Sequence, residues 1–355
     1  MGDLTAAPQI LENLVRRAER VHASDIHLQM RGPVASIAFR LDGVLSPIEE
    51  LPEGIAERVF GRIKYLAKLK TYQESLPQDG RIEKAEIGSI EDIRVATYPT
   101  VTGEKIVLRL FSAAEAKELN DLGLAPRVIN ELGHFLSGTS GLLLLTGPAG
   151  SGKTTTIYGC LRQLSTSGGR HIITVEDPVE QILPGIMQTE VNDARGLDFA
   201  KAARHLLRQD PQVLVLGEIR DDETANLAVR AALTGHLVIS TLHAGSCKGV
   251  VERLLVMCPD HYAVVSALSL IVNQRLLRKL CSDCQGKGCE RCLNTGYAGR
   301  IPVAELVAFD EPLRTSVRTS GPGMIAPQPT LAEAALELVH QSQTNDTEFR
   351  RLFGG

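Results

Sequence analysis

The sequence predicts an α/β protein in two parts: a smaller α+β unit, then a larger unit whose mostly parallel sheet is covered on both faces. Three observations carry this. Apolar runs at 142–145, 172–175 (interrupted only by Thr174), 213–216 and 237–239 are bounded by polar turns and separated by helical stretches, the pattern of strands buried on both sides. Before Gly141 the texture differs, with helical spacing and short strand-like segments in turn. The length, 355 residues, is about twice that of one typical domain.

Taken in order, residues 10–21 have helical spacing with Arg16, Arg17 and Arg20 on the polar side. Residues 35–41 read as a strand, closed by the hairpin dipeptide Asp42-Gly43. Residues 55–69 read as an amphipathic helix with Ile55, Val59, Ile63, Leu66 and Leu69 on one face. Strands at 93–97 and 105–110 flank a Thr102-Gly103 turn. The polar stretch that follows predicts a division into an N-terminal domain (1–112), a linker (113–121) and a second domain (122–355). The second domain carries a four-cysteine knuckle (278–300), a loop at 320–329 with three Pro and two Gly, and a helical tail from about Leu331.

Composition excludes several classes. Apolar residues at 43 % and charged residues at 23 % are those of an ordinary globular chain, not a collagen-like, coiled-coil or disordered one. No apolar run approaches the roughly 20 residues of a membrane span. Met1-Gly-Asp-Leu-Thr lacks the basic region and apolar core of a signal peptide, so a cytosolic site of action is expected. A net charge of −4, 4 % aromatic residues and no Trp argue against a nucleic-acid partner.

Gly147-Pro-Ala-Gly-Ser-Gly-Lys-Thr154 matches G-x-x-x-x-G-K-[ST] between a strand and a helix. The glycines turn backbone N–H groups toward phosphate oxygens, and the helix N-terminus adds its positive end. Gly147, Pro148, Ala149, Gly150, Ser151, Gly152, Lys153, Thr154 and Thr155 are therefore the expected nucleotide-binding residues. Lys153 would reach the outer phosphates, and the Thr154 hydroxyl would ligate Mg²⁺.

Two strands deliver carboxylates to the same sheet edge. Ile172-Ile-Thr-Val-Glu-Asp-Pro-Val-Glu180 ends in Glu176 and Asp177, and Val213-Leu-Val-Leu-Gly-Glu218 ends in Glu218. Gly217 stands where such a strand usually has Asp. Metal contact through water then falls to Asp177, and Glu218 orients the attacking water. Glu176 joins the candidates, a solvated turn before Pro178 being the bland reading. His236 and His243 flank a third strand and could sense the γ-phosphate or bond a neighbouring strand. Arg81 and Arg94 are candidates for cationic help at the transition state, though Arg is more often a surface cation. Arg204 and Arg208, four apart, are expected on one helix face. No N-K-x-D guanine-reading motif occurs, which disfavours GTP.

Cys281-Ser-Asp-Cys284-Gln-Gly-Lys-Gly-Cys289-Glu-Arg-Cys292 offers four thiolates as two C-x₂-C pairs, the donor set of a closed Zn²⁺ site. An iron–sulfur cluster and free thiols are the other readings. Cys160, Cys247 and Cys258 sit singly in apolar surroundings and are expected in the core.

Together these residues resemble the secretion ATPases of type II secretion and type IV pilus assembly. The likeness runs from Ala23-Ser-Asp-Ile-His27 through Arg40-Leu-Asp-Gly43, 76–81, 92–94, Gly103-Glu-Lys105, the phosphate loop and 172–180. It continues through Leu207-Arg-Gln-Asp-Pro211, Gly217-Glu-Ile-Arg-Asp221, 234–243, Asn273-Gln-Arg275, the four Cys and Gly296-Tyr-Ala-Gly-Arg300. The resemblance implies a RecA-like P-loop ATPase domain preceded by a PAS-like one, ATP and Mg²⁺ as ligands, and a ring hexamer. It also implies an inner-membrane platform as partner and a place at the inner face of the cytoplasmic membrane. It makes Glu176 and Asp177 the Asp box, Glu218 the Walker B carboxylate, and His236 and His243 the His box. Arg81, Arg94, Arg204, Arg208 and Arg300 match positions that look toward phosphates. Two departures are visible. The chain begins almost at the family's second domain, and only four residues part the Cys pairs where the family has a much longer insert. The Cys cluster favours the assembly or secretion branch over retraction. A nucleic-acid translocase and a non-hydrolysing regulator are the rival functions.

Overall fold

A computed structural model describes residues 6–110, 117–192 and 196–354. Residues 1–5 and 113–116, on which the signal-peptide reading and part of the expected linker rest, lie outside the described residues. The chain divides into two compact units, residues 1–115 with 278–300 and residues 116–277 with 301–355. The cysteine segment thus groups with the first unit, whereas its place in the chain suggests the second.

The first unit holds α1 (Ala6–Arg20), β1 (Asp25–Arg31), β2 (Val34–Leu41), β3 (Val44–Pro52), α2 (Glu53–Leu66), β4 (Gln78–Ile82), α3 (Lys84–Ile87), β5 (Ile93–Thr100) and β6 (Gly103–Leu110). The sheet order is β3-β2-β1-β6-β5-β4, and every neighbouring pair is antiparallel. Asp42 and Gly43 both have positive φ (49° and 86°), as a two-residue hairpin between right-twisted strands requires. Burial alternates along β2, β5 and β6, so one face packs Ile37, Phe39, Val95, Ile106 and Leu108 with the apolar stripes of α1 and α2. The opposite face carries the charge. In register across five strands stand Arg40, Asp25, Arg109, Arg94 and Arg81.

The second unit's sheet contains β7 (Gly141–Thr146), β8 (Ile172–Glu176), β9 (Met187–Glu190), β10 (Val213–Leu216), β11 (Leu237–Leu242), β12 (Leu268–Leu280) and β13 (Tyr297–Ala308), in the order β13-β12-β7-β11-β10-β8-β9. The five contiguous pairs from β12 to β9 are all parallel. The helices α4 (Pro126–Ser137), α5 (Lys153–Ser167), α6 (Phe199–Leu206), α7 (Asp222–Leu233), α8 (Cys247–Met257), α9 (His261–Ala267) and α10 (Glu311–Ser320) accompany it, followed by α11 (Leu331–His340) and α12 (Asp346–Phe353). Successive residues of β7 feed two cores: Leu142 and Leu144 pack with α6 to α9, and Leu143 and Leu145 with α4 and α5. That is why this strand is an unbroken run of leucine. Truncating one of these leucines to Ala should cost about 2–5 kcal/mol. Because the strands are parallel, all their carboxyl ends reach one edge, which positions the site. Cys160, Cys247 and Cys258 are buried, as expected of core residues. Among the described residues, no helix is long and apolar enough to cross a membrane.

Candidate active site

The phosphate loop leaves β7 and enters α5 with Gly147, Gly150 and Gly152 at positive φ (140°, 73° and 88°). Gly147 and Gly152 also lack room. A Cβ at Gly147 would stand 2.4 Å from the Gln274 carbonyl oxygen, and one at Gly152 would stand 2.7 Å from Gln274 Nε2. Gln274 is the brace that makes the loop tight. Its Nε2 donates to the Ser151 carbonyl at 2.8 Å, and its Oε1 accepts from the buried Thr156 hydroxyl at 2.9 Å. Lys153 is 9 % exposed, and its Nζ donates to the carbonyls of Gly147 and Pro148 at 2.9 Å each. Burial and the neighbouring Arg275 cation hold its pKa below the ordinary lysine value, against the pull of Glu218. Thr154 and Thr155 face solvent.

The strand ends beside it bring the acids. Glu218 follows β10 through Gly217, where a side chain would press on the Val175 carbonyl (3.2 Å) and the Phe199 ring (3.4 Å). This is the packing reason for Gly in place of the usual Asp. Arg220 pairs with Glu218 and, at 3.2 Å, with Asp177, and it lies over the Phe199 ring at 5.6 Å. Its hydrogen bond to Glu218 keeps its pKa above even the usual arginine value. His243 Nε2 stands 3.5 Å from Glu218 Oε2. The loop after His243 is tied to the phosphate-loop strand, since Thr146 Oγ1 donates to the Ala244 carbonyl (3.0 Å) and accepts from the Ala244 N–H (2.9 Å).

Glu176 sits lower. It is 7 % exposed and accepts hydrogen bonds from the Tyr158 and Thr174 hydroxyls and from Gln188 Nε2 at 3.0 Å. Burial, with the Glu176 carboxylate next, pushes the Tyr158 phenol up to about 12, so it stays a hydrogen-bond donor.

Other sequence candidates fall elsewhere. His236 precedes β11, whose first residue pairs with Gly141 at the start of β7, so it occupies the sheet edge opposite the phosphate loop. There its Nδ1 lies 3.0 Å from the Ala231 carbonyl. Arg204 and Arg208 fall in successive elements. Helix α6 ends at Leu206, Arg208 belongs to a 3-10 turn (Leu207–Gln209), and Arg204 pairs with Glu223. Arg81 and Arg94 belong to the first unit, where Arg81 pairs with Asp92; Arg300 also belongs to it, and its charge acts on the Asp42 carboxyl. The residues that the sequence reading passed over are Arg220, Gln274, Arg275, Thr146 and Tyr158. Arg220, Gln274 and Arg275 lie inside quoted motifs, but their roles depend on partners from distant parts of the chain.

In the cysteine segment the four sulfurs lie within 4.8 Å of one another, with Sγ–Sγ distances of 3.8 Å (Cys281–Cys289), 3.8 Å (Cys284–Cys292) and 3.7 Å (Cys289–Cys292). Four sulfurs placed tetrahedrally about 2.3 Å from one ion would stand about 3.8 Å apart. Backbone N–H groups of Gly288 and Gly296 donate to the Cys284 and Cys292 sulfurs at 3.2 and 3.3 Å. The spacing is far too long for disulfides.

Comparison with known proteins agrees with this geometry. Residues 2–351 match the family described as Type II/IV secretion system protein. The chain is 39 % identical over 344 residues to the type IV pilus assembly ATPase PilB of Thermus thermophilus, covering 89 % of this chain and 38 % of that one. It is 39 % identical over 350 residues to the protein transport protein HofB homolog of Haemophilus influenzae, covering 98 % and 73 %. Its fold superposes on the pilus retraction motor PilT, crystallised with ADP, with a TM-score of 0.64 at 26 % identity and 96 % coverage of both chains. With nearly its whole length matched and a phosphate loop at the carboxyl edge of a parallel sheet, the chain belongs to the Type II/IV secretion system protein family.

Proposed function

We propose that this chain is a Mg²⁺-dependent ATPase that, as a ring of copies, drives pilus or pseudopilus assembly or protein secretion through an inner-membrane platform. The observation that carries the reading is the gathering of Lys153, Glu218, His243 and, through Arg220, Asp177 at one sheet edge. The N–H groups of residues 150–154 would cradle the phosphates, with Lys153 released from the two carbonyls to the β- and γ-oxygens. The exposed Thr154 hydroxyl and Asp177 carboxylate would supply hard oxygen ligands of the kind Mg²⁺ takes. Bound there, Mg²⁺ would neutralise phosphate charge. Glu218 would accept a hydrogen bond from the attacking water and orient it, with His243 holding its far oxygen. Glu176, with both oxygens engaged, would support this carboxylate pair from below. Arg81, Arg94, Arg204, Arg208 and Arg300 are proposed as cations that offset transition-state charge.

The four cysteine sulfurs fit structural Zn²⁺, which would cross-link the short knuckle (281–292) and support no chemistry. We read the first unit, with β2-β1-β6-β5-β4 under two helices, as PAS-like, and the protein as acting at the cytoplasmic face of the membrane.

The test is a Glu218→Gln variant. It should bind ATP within a few-fold of the parent and turn over at least about 100-fold more slowly. Undiminished turnover would refute the assignment.

A further inference from the structure

We infer that the Tyr158 hydroxyl is a positioning group for this site: from the phosphate-loop helix, it fixes the turn that presents Asp177. The inference rests on the nucleotide reading above and adds to it a residue outside the motifs.

Tyr158 lies five residues after Lys153 on α5 and is 5 % exposed, its ring packed in the core beneath β7. Its hydroxyl makes three bonds. It donates to Glu176 Oε2 and accepts from the backbone N–H groups of Glu180 (3.1 Å) and Gln181 (3.2 Å). These partners bracket Asp177, one residue before it and three and four after it. Gln188 closes the far side, donating to Glu176 Oε1 and the Gln181 carbonyl at 3.0 Å each and accepting from the Leu183 N–H at 2.6 Å. Arg162, one turn beyond Tyr158, reaches the Gln181 side chain. The segment from Glu176 to Gln188 is therefore strapped to the helix that follows the phosphate loop. The phosphate loop itself draws nothing from this strap, since Lys153 bonds to Gly147 and Pro148 and the loop is braced by Gln274. Loss of the hydroxyl should thus release the Asp177 turn and leave the phosphate cradle intact.

Tyr158→Phe keeps the ring and removes only the three bonds. The affinity of the full chain for a fluorescent ATP analogue would be measured in Mg²⁺ and in EDTA. In EDTA the variant should match the parent within about twofold, whereas the gain in affinity that Mg²⁺ gives the parent should shrink about fivefold or more. Amide exchange over 178–184 should quicken about tenfold while that of α5 stays unchanged. Gln188→Ala loosens Glu176 from the other side without touching the core and should move both readouts the same way by less. If Tyr158→Phe does not fold, Gln188→Ala decides. A full Mg²⁺-dependent gain with unchanged 178–184 exchange overturns the inference and leaves the nucleotide reading standing. A parent chain with no nucleotide affinity overturns both.

Discussion

Along the open face of the first sheet, charge is arranged by register: Arg40, Asp25, Arg109, Arg94 and Arg81 stand side by side on five strands. In the second sheet, charge is arranged by strand ends, with Asp177, Glu218 and His243 each following a parallel strand beside the phosphate loop. The two designs carry different costs. At the strand ends opposite charges meet, since Arg220 lies between Glu218 and Asp177 and no strand pairing is disturbed. In the row, arginine faces arginine between β6 and β5 and again between β5 and β4, a pairing that costs roughly 0.2–1 kcal/mol each. Asp25, buried between Arg40 (3.3 Å) and Arg109 (3.0 Å), and Asp92 beside Arg81 offset part of it. The proposed role of Arg81 and Arg94 in offsetting transition-state charge would give this face a reason to keep three adjacent arginines against this cost. The proposed Mg²⁺–nucleotide site would likewise explain acids kept beside a lysine at the strand edge.

The contrast can be broken most sharply at the edge. Gly152→Ala puts a methyl group 2.7 Å from Gln274 Nε2 at a φ of 88°, and should lower ATP-analogue affinity at least about 100-fold while the first unit melts normally. Next in size, Gln274→Ala removes the side-chain donor to the Ser151 carbonyl and leaves the Thr156 hydroxyl only the Gly152 carbonyl at 3.2 Å. It should cost about 1–3 kcal/mol, read by denaturant unfolding, with a weaker loss of nucleotide affinity.

In the row the effects are smaller and depend on pH. Asp25 is pushed up by burial, but the Ser24 hydroxyl and the Arg109 and Arg40 cations outweigh this and leave its pKa below the ordinary carboxylate value. A depressed folded pKa contributes stability above about pH 4, lost as pH falls through the lower folded value. Asp25→Asn should therefore lower the melting temperature at pH 7 and converge with the parent near pH 2, and equal melting at pH 7 would refute the pairing. The smallest change is expected from Arg94→Ala. Removing one of two opposed like charges should leave the first unit's stability within about 0.5 kcal/mol of the parent. An anion-binding role for the row predicts a clear fall in turnover all the same.

How much of this could be read beforehand varied by type of feature. The phosphate loop was legible because its chemistry is local: consecutive backbone groups, a glycine at each tight point and a lysine at fixed spacing. The strands carrying Asp177 and Glu218 were legible because burial on both faces leaves a nearly continuous apolar run, with Thr174 its one interruption. Strands β9 and β12 were not singled out, since four mixed residues at a sheet edge and a long strand that begins directly after a helix give no clear period. Arg204 and Arg208 were legible as neighbours four apart, but not the passage from α6 to a 3-10 turn between them. His236 misled because both ends of a strand look alike in sequence, although only one points to the site.

The sequence alone determined the nucleotide loop, the acids that follow two buried strands and the four thiols at knuckle spacing, because each depends on neighbours a few residues away. Tertiary structure alone decided that Gln274 braces the loop, that Arg220 joins Glu218 to Asp177, that Tyr158 straps the turn between them and that four arginines share one row. Apart from the Arg220–Glu218 pair, those relations join residues from 13 to 123 positions apart, and only the tertiary fold brings them side by side.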